Sequence, residues 1–300
     1  MITRYSMKKQ ANTTPGAGQS RLRRRIILLL VLAAAFAAYV YYGNTAVTVT
    51  QYDVSMEKIP PGFDGFRIVQ ISDLHNSHNS LMTGSLVRKT AQASPDMIVL
   101  TGDMIDSYYP DVDSAMSVIG QLNCIAPVYY VIGNHEARTG KSGILIRKMK
   151  QQGISVLSDS YAVIRVADDE IVVAGVNDPR RLNADGQGSD AEIVKSALGS
   201  MDYDRRMFSV LLSHRPELMN VYATYGVDLV FTGHAHGGLI RLPFIGGLYA
   251  PHQGLFPTYC AGLYTAGGTQ MIVNRGTGNS GFSFRINDPP ELVVTVLHAG

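Results

Sequence analysis

Residues 26–42 carry no charge and are almost wholly apolar, and they divide a polar head from a long chain of alternating patterns. As a helix rising ~1.5 Å per residue this run reaches about 25 Å, the short limit of a membrane span. Beyond it, 47–52 alternates as a strand, and Pro60-Pro61-Gly62 turns the chain into the apolar strand 67–72. Strands 96–101 and 128–132 follow, with helices at 81–93 and 113–123 between them and a third at 141–152 closed by Gly153. This β-α-β-α-β-α order predicts a parallel sheet. Segments 154–157, 161–166 and 171–176 are short strands with turn-sized gaps, and they predict a second, partly antiparallel sheet packed on the first. A polar loop at 183–190, a helix at 190–198, and strands 208–213 and 227–232 around a helix at 216–225 come next, and 292–297 is expected to close the second sheet. Residues 239–269, rich in Gly, Tyr and Phe, form a long irregular run of the kind that rims a site. Residues 11–20 show no periodicity and are expected to be disordered.

Charge alters this picture at the N-terminus. Arg4, Lys8, Lys9, Arg21, Arg23, Arg24 and Arg25 give the first 25 residues a formal +7, against +2 for the whole chain, which leaves −5 for the rest. A nucleic-acid enzyme would carry its basic excess on the folded domain, so no nucleic-acid partner is expected. Basic residues stay on the cytoplasmic side of a membrane, which places the head inside, everything after Tyr42 outside, and Tyr39, Tyr41 and Tyr42 at the far interface. The organisation is then a basic cytoplasmic tail (1–25), a single transmembrane helix (26–42) and one large domain (43–300). The rival is a cleaved signal peptide with Ala35-Phe36-Ala37 as its small-residue site and the arginines as a twin-arginine signal; the apolar run continues past that site, which favours the anchor. Both export the domain. Cys124 and Cys260 form no CxxC pair and are read as buried thiols, with a disulfide left open.

Candidate chemistry lies at the strand ends. Five apolar strands finish in Asp73-Leu74-His75, Gly102-Asp103, Gly133-Asn134-His135-Glu136, Ser213-His214 and Gly233-His234-Ala235-His236. Polarity confined to carboxyl ends is the signature of an α/β sheet whose site lies outside that edge. Five unrelated strand caps would leave unexplained why nearly every cap is a metal-ligand type. Asp, Asn and His suit Mn²⁺, Fe or Zn²⁺, and seven such groups suit two ions better than one. Ser72 and Ser213 stand in no Gly-x-Ser-x-Gly elbow, which argues against a serine hydrolase.

This motif series resembles the calcineurin-like metallophosphoesterase family. Asn274-Arg275-Gly276-Thr277-Gly278 and Pro289-Pro290-Glu291-Leu292 are similar to the tail of its membrane-anchored bacterial branch. The resemblance implies a four-layer αββα sandwich of two mixed sheets with helices outside. It also implies that Asp73, His75 and His236 hold one divalent ion and Asn134, His214 and His234 a second, with Asp103 bridging them. A hydroxide shared by two ions would then attack phosphorus in line. His135 would protonate the departing oxygen, a role its titration range suits, or else act as a hydrogen bonder behind the ligands. Glu136 is expected to orient neighbours, and Arg275 to hold substrate phosphate or pair with Glu291. The expected activity is hydrolysis of phosphoester or pyrophosphate bonds in a lipid-linked or cell-envelope substrate. The alternatives are a nucleotide-activated acyl-sugar pyrophosphatase of lipid synthesis, which an outward-facing domain disfavours, and a non-catalytic binding module, whose signature would be a lost ligand. None is lost.

Overall fold

The computed structural model describes residues 17–182, 188–279 and 285–300, and the chain divides into two units, Met1–Tyr41 and Tyr42–Gly300. In the first, helix α1 (Ala17–Thr45) begins ahead of the uncharged run and carries the arginines on its opening turns. Its segment Ser20–Thr45 is long and apolar enough to cross a membrane. Leu28, Leu29, Leu30, Val31 and Leu32 are all exposed, so apolar side chains cover its whole circumference and no stripe faces a core. Residues 17–20, read as non-periodic, are helical; the rest of that stretch lies outside the described residues, as do 183–187 of the polar loop.

The second unit opens with β1 (Thr48–Met56), β2 (Arg67–Ile71), α2 (Ser80–Ala93), β3 (Met97–Leu100), α3 (Val112–Asn123), β4 (Val128–Tyr130), the short α4 (Asn134–Arg138), α5 (Ser142–Gln151) and β5 (Ser155–Val156). Asn79 and Asp111 accept from the backbone N–H groups of Met82 and Ser114 and so start α2 and α3. There follow β6 (Ser160–Val166), β7 (Asp169–Gly175), α6 (Asp190–Ser200), β8 (Ser209–Leu212), α7 (Met219–Thr224) and β9 (Leu229–Thr232). Four two-residue strands come next: β10 (Arg241–Leu242), β11 (Gly246–Gly247), β12 (Tyr249–Ala250) and β13 (Gly254–Leu255). Finally β14 (Gly262–Ala266), β15 (Thr269–Val273) and β16 (Glu291–Ala299) complete the chain.

Two six-stranded mixed sheets result, ordered β1-β16-β2-β3-β4-β5 and β14-β15-β9-β8-β7-β6. Two expected placements are corrected. Segment 154–157 joins the first sheet, with β5 parallel to β4, because the helices after β4 complete a crossover that returns the chain beside it. Segment 292–297 also belongs to the first sheet, not the second. There β16 runs parallel to β1 and antiparallel to β2, and its buried run marks an interior strand. The run 239–269 is less irregular than expected, since β10 pairs with β11, β12 with β13, and β14 with β15.

The core falls into three slabs, which makes four layers. Val69, Ile98 and Leu100 face helices α2, α3 and α5. Ile68, Val99, Val210 and Phe231 fill the space between the sheets. Val230, Leu211 and Val172 meet α6 and α7. Neighbours such as Val230 and Phe231 thus serve different slabs, as strand pleating requires. Both cysteines are free, and Cys124, expected to be buried, is exposed at the end of α3 because the helix turns its apolar face away from it.

Candidate metal centre

The carboxyl ends of β2, β3 and β4 in one sheet and of β8 and β9 in the other open onto a common space. The buried Gln70 amide ties the two sheets there, donating to Thr101 Oγ1 at 3.0 Å and to Thr232 O at 2.8 Å. All seven predicted ligands are buried in that space. Their backbone is unusual: Asp73, His75, Asp103, His234 and His236 have φ of 53°, 48°, 54°, 68° and 48°. Side chains other than glycine rarely adopt that region, and each such residue costs about 1–3 kcal/mol, so the surrounding structure holds these groups where relaxed strands would not. Close packing contributes: a Cβ on Gly133 would run into Asp103, and one on Gly233 into Ser72 and Asp73.

Two groups of donors form. His236 Nε2 lies 3.3 Å from Asp73 Oδ1 and 3.2 Å from His75 Nε2. On the other side His214 Nε2 lies 3.1 Å from Asn134 Oδ1, 3.2 Å from His234 Nδ1 and 3.2 Å from Asp103 Oδ2. Asp103 joins the groups, its Oδ2 also standing 3.8 Å from His75 Nε2. The donor chemistry fits divalent cations. Each nitrogen–nitrogen contact can share at most one proton, and a cation between the rings satisfies the lone pairs of both, as nitrogen and oxygen ligands without a thiolate would do for Mn, Fe or Zn.

Behind the donors, backbone groups set ring orientation. His214 Nδ1 donates to Thr101 O at 2.7 Å, so Nε2 is the atom presented to the site. Burial opposes a second proton on His214, at Nε2, but Asp103 and then Asp73 outweigh it and hold the ring up to about 10, a proton that a cation at that atom would displace. Burial likewise would raise Asp103, yet His214, His135 and His75 hold its carboxyl well below the usual range. His234 and His236 are pushed down, first by burial and then by neighbouring cationic groups.

His135 stands beside this cluster, with Nε2 3.9 Å from Asp103 Oδ2. Its Nδ1 accepts from the Ser107 N–H at 2.9 Å, which places the proton of the neutral ring on Nε2, toward the site. Burial pushes the ring down to about 4, because the approach of Asp103 does not compensate for lost solvent. Glu136 points the other way. Its oxygens accept from the N–H groups of Asp103 and Gly133, both at 2.8 Å, and of Ile105 at 2.9 Å. Arg275 pairs with Glu291 at 3.0 Å and donates to Thr48 Oγ1 at 2.9 Å, rather than facing the donors. The tail motif around it braces the first loop: Thr277 N–H donates to Ser72 O and Gly278 N–H to Asp73 O.

A cleft of about 210 Å³ opens over the donors, walled by His135, Arg138, Tyr108, His252, Leu239 and Tyr249 among others. Sequence reasoning missed His252, whose Nδ1 lies 2.8 Å from His234 Nε2, and Arg285, buried with Nη2 3.3 Å from His236 Nδ1. Neither sits at a strand end. Only the isolation of a histidine in the run 239–269 marked His252, and nothing in the local pattern marked Arg285.

A profile of the family "Calcineurin-like phosphoesterase" matches residues 66–238. The chain is similar to the metallophosphoesterase YkuE of Bacillus subtilis, at 31% identity over 84% of this chain and 85% of that one. It is also similar to the phosphodiesterase YaeI of Escherichia coli, at 30% identity over 77% of this chain and 82% of the relative. A third relative, the UDP-2,3-diacylglucosamine pyrophosphatase LpxG of Chlamydia trachomatis, is 27% identical over 81% of this chain and 87% of its own.

Proposed function

We propose a mechanism and a substrate class from one premise: the chain belongs to the calcineurin-like phosphoesterase family and is a hydrolase of phosphoester bonds. The observation that carries the reading is the convergence of seven donor side chains from the ends of two sheets, five of them at left-handed backbone positions. Asp73, His75 and His236 would hold one divalent ion and Asn134, His214 and His234 another, with Asp103 between them. When bound, such ions polarise phosphoryl oxygens and lower the pKa of water, which supplies attack and charge neutralisation at phosphorus.

The chain's own groups complete the site. His135 directs Nε2–H at the departing oxygen, held in that tautomer by Ser107, as a hydrogen bond that stabilises the negative charge developing there. Arg138, exposed at the cleft wall, offers a fixed positive charge to substrate phosphate. Glu136 keeps the loops carrying Asp103 and Asn134 in register. Leu239 and Tyr249 give the cleft an apolar side, and the preceding helix is apolar enough for a single-pass anchor. Together these favour a lipid-linked or cell-envelope phosphoester, reached by a domain outside the membrane. The relative named as a diacylglucosamine pyrophosphatase supports a second reading, cleavage of a pyrophosphate in an acylated sugar nucleotide.

The test uses the full chain in detergent micelles against mono-, di- and pyrophosphoesters, with and without acyl chains, after chelation and with each metal restored. Activity that returns only with divalent metal and favours acylated substrates is expected. Chelator-resistant hydrolysis would overturn the metal reading, and indifference to acyl chains the substrate reading.

A further inference from the structure

The loop that walls the cleft carries apolar groups for which hydrolysis has no use. β10 and β11 form a tight hairpin, and at its tip Phe244 is 108% exposed and Ile245 64%. The adjoining β12–β13 hairpin exposes Leu255 and Phe256. Phe244 and Phe256 have φ of 66° and 54°, strained backbone that turns large apolar side chains into solvent, a placement folding alone would not favour. The stretch bears no acid of its own: between Asp228 and Asp288 the sequence contains none, and Arg241 lies at the base of the hairpin, whereas Arg275 and Arg285 are engaged by Glu291 and Asp288.

The position of the loop in the folded unit points to its occupant. The base of the hairpin is bonded to the segment that receives the chain as it leaves the apolar helix. Arg285 N–H donates to Asn44 Oδ1 at 2.8 Å, and Asn44 Nδ2 donates to Arg285 O at 3.1 Å. Immediately after, Arg241 N–H donates to Ile286 O at 3.0 Å, Ile286 N–H to Leu239 O at 3.1 Å, and Asn287 Nδ2 to Arg241 O at 3.2 Å. Residue 44 therefore lies one backbone segment away from the exposed hairpin. Behind it, Leu239, Ile240, Leu248 and Tyr249 line an apolar cavity of about 210 Å³ that shares Leu239 and Tyr249 with the catalytic cleft.

We propose that residues 239–256 form a bilayer-docking surface. Phe244, Ile245, Leu255 and Phe256 enter the boundary between headgroups and acyl chains, as amphipathic interfacial elements do, with no acidic side chain on the stretch itself to oppose anionic headgroups. Docking sets the mouth of the cleft at the membrane, and the adjoining apolar cavity takes part of an acyl chain while the phosphoester reaches the donors. The proposal rests on the reading of the N-terminal helix as a membrane anchor.

The test reconstitutes the full chain, carrying Cys124→Ser, into liposomes of phosphatidylcholine and phosphatidylglycerol. Phe244→Cys or, as a control on the edge strand β6, Arg165→Cys carries an environment-sensitive fluorophore. At 244 we expect a blue-shifted emission quenched at least twofold by spin-labelled lipid, and at 165 neither. Equal access of aqueous iodide to both positions, or cross-linking through 244 to a second copy, overturns the proposal. Alkaline release of the unsubstituted chain from the liposomes would instead sink the anchor reading, so the two failures are distinguishable. A second arm compares substrates: Phe244→Ser with Ile245→Ser should lower hydrolysis of a phosphoester lipid in the same liposomes about tenfold and leave a soluble nitrophenyl diester unaffected. Equal loss on both substrates would assign the hairpin to the architecture of the cleft and not to docking.

Discussion

At the scale of single residues, the site is built from ordinary ligand types in an uncommon backbone conformation. Asp103 stands between the two donor groups, within 3.2 Å of His214 Nε2 and 3.8 Å of His75 Nε2. Asp103→Asn is therefore expected to lose both metals, whereas His75→Ala should lose chiefly one. Metal content of the purified variants decides this, and two ions retained in Asp103→Asn would show that the bridge lies elsewhere. His135 turns Nε2–H toward the site, and its removal should affect chiefly leaving groups that depart as a strongly basic oxyanion. His135→Asn is expected to keep its metals and to lose about 10²–10⁴-fold in rate on alkyl phosphoesters, but far less on nitrophenyl ones. Equal loss on both substrates would leave His135 a merely positional role. That these seven side chains belong to one site was legible in the sequence because a strand end that finishes in Asp, His or Asn has few structural reasons to do so. His252 and Arg285 were not, since their contacts with His234 and His236 arise from loops whose path the local pattern does not encode.

At the scale of elements, the site depends on how loops are fastened to one another. Glu136 accepts three backbone hydrogen bonds that join the loop after β3 to the start of α4. Glu136→Ala leaves three buried N–H groups without that partner, at roughly 1–3 kcal/mol each before relaxation. A lower Tm together with weaker metal binding is expected in a thermal melt with and without added metal; loss of activity with an unchanged Tm would show that the carboxylate acts in chemistry instead. The helix caps are simpler. Asp111→Ala removes the acceptor for Ser114 N–H and should cost about 1 kcal/mol, roughly 2–4 °C in Tm, with hydrolysis at ordinary temperature preserved. Elements with a strong period were readable in place: α2, α3 and α5 lie within a residue or two of expectation. Strands β5 and β16 were readable as strands but not as members of a given sheet, because pairing is decided by partners far apart in sequence.

For the whole molecule, the basic residues before the apolar helix predict that everything after Tyr42 lies outside the cytoplasm. A reporter fused after Gly300 that works only when exported should be active, and one that works only in the cytoplasm should be silent; the reverse pattern would refute this orientation. If that reporter is active, the proposed membrane-resident phosphoester is one that such a hydrolase could meet; if the cytoplasmic reporter is active instead, that substrate proposal falls with the orientation.

Three things were determined by the sequence alone: an apolar helix ahead of a layered α/β domain, the strands whose ends carry the Asp, Asn and His side chains, and the phosphoester hydrolysis to which that motif series points. Each follows from local patterning, since periodicity and terminal residue type are properties of a few neighbouring positions. Tertiary structure decided the rest. It placed β16 between β1 and β2, brought the ends of two sheets together so that His214 and His234 meet Asp103, and turned Arg275 toward Glu291. It also set Phe244 in solvent at the tip of a hairpin flanked by the cleft residues Leu239 and Tyr249, and bonded Asn44 to the same segment as the base of that hairpin. These are contacts between residues tens to hundreds of positions apart, selected by the packing of layers and the pairing of buried polar groups, and no local pattern in the chain specifies them.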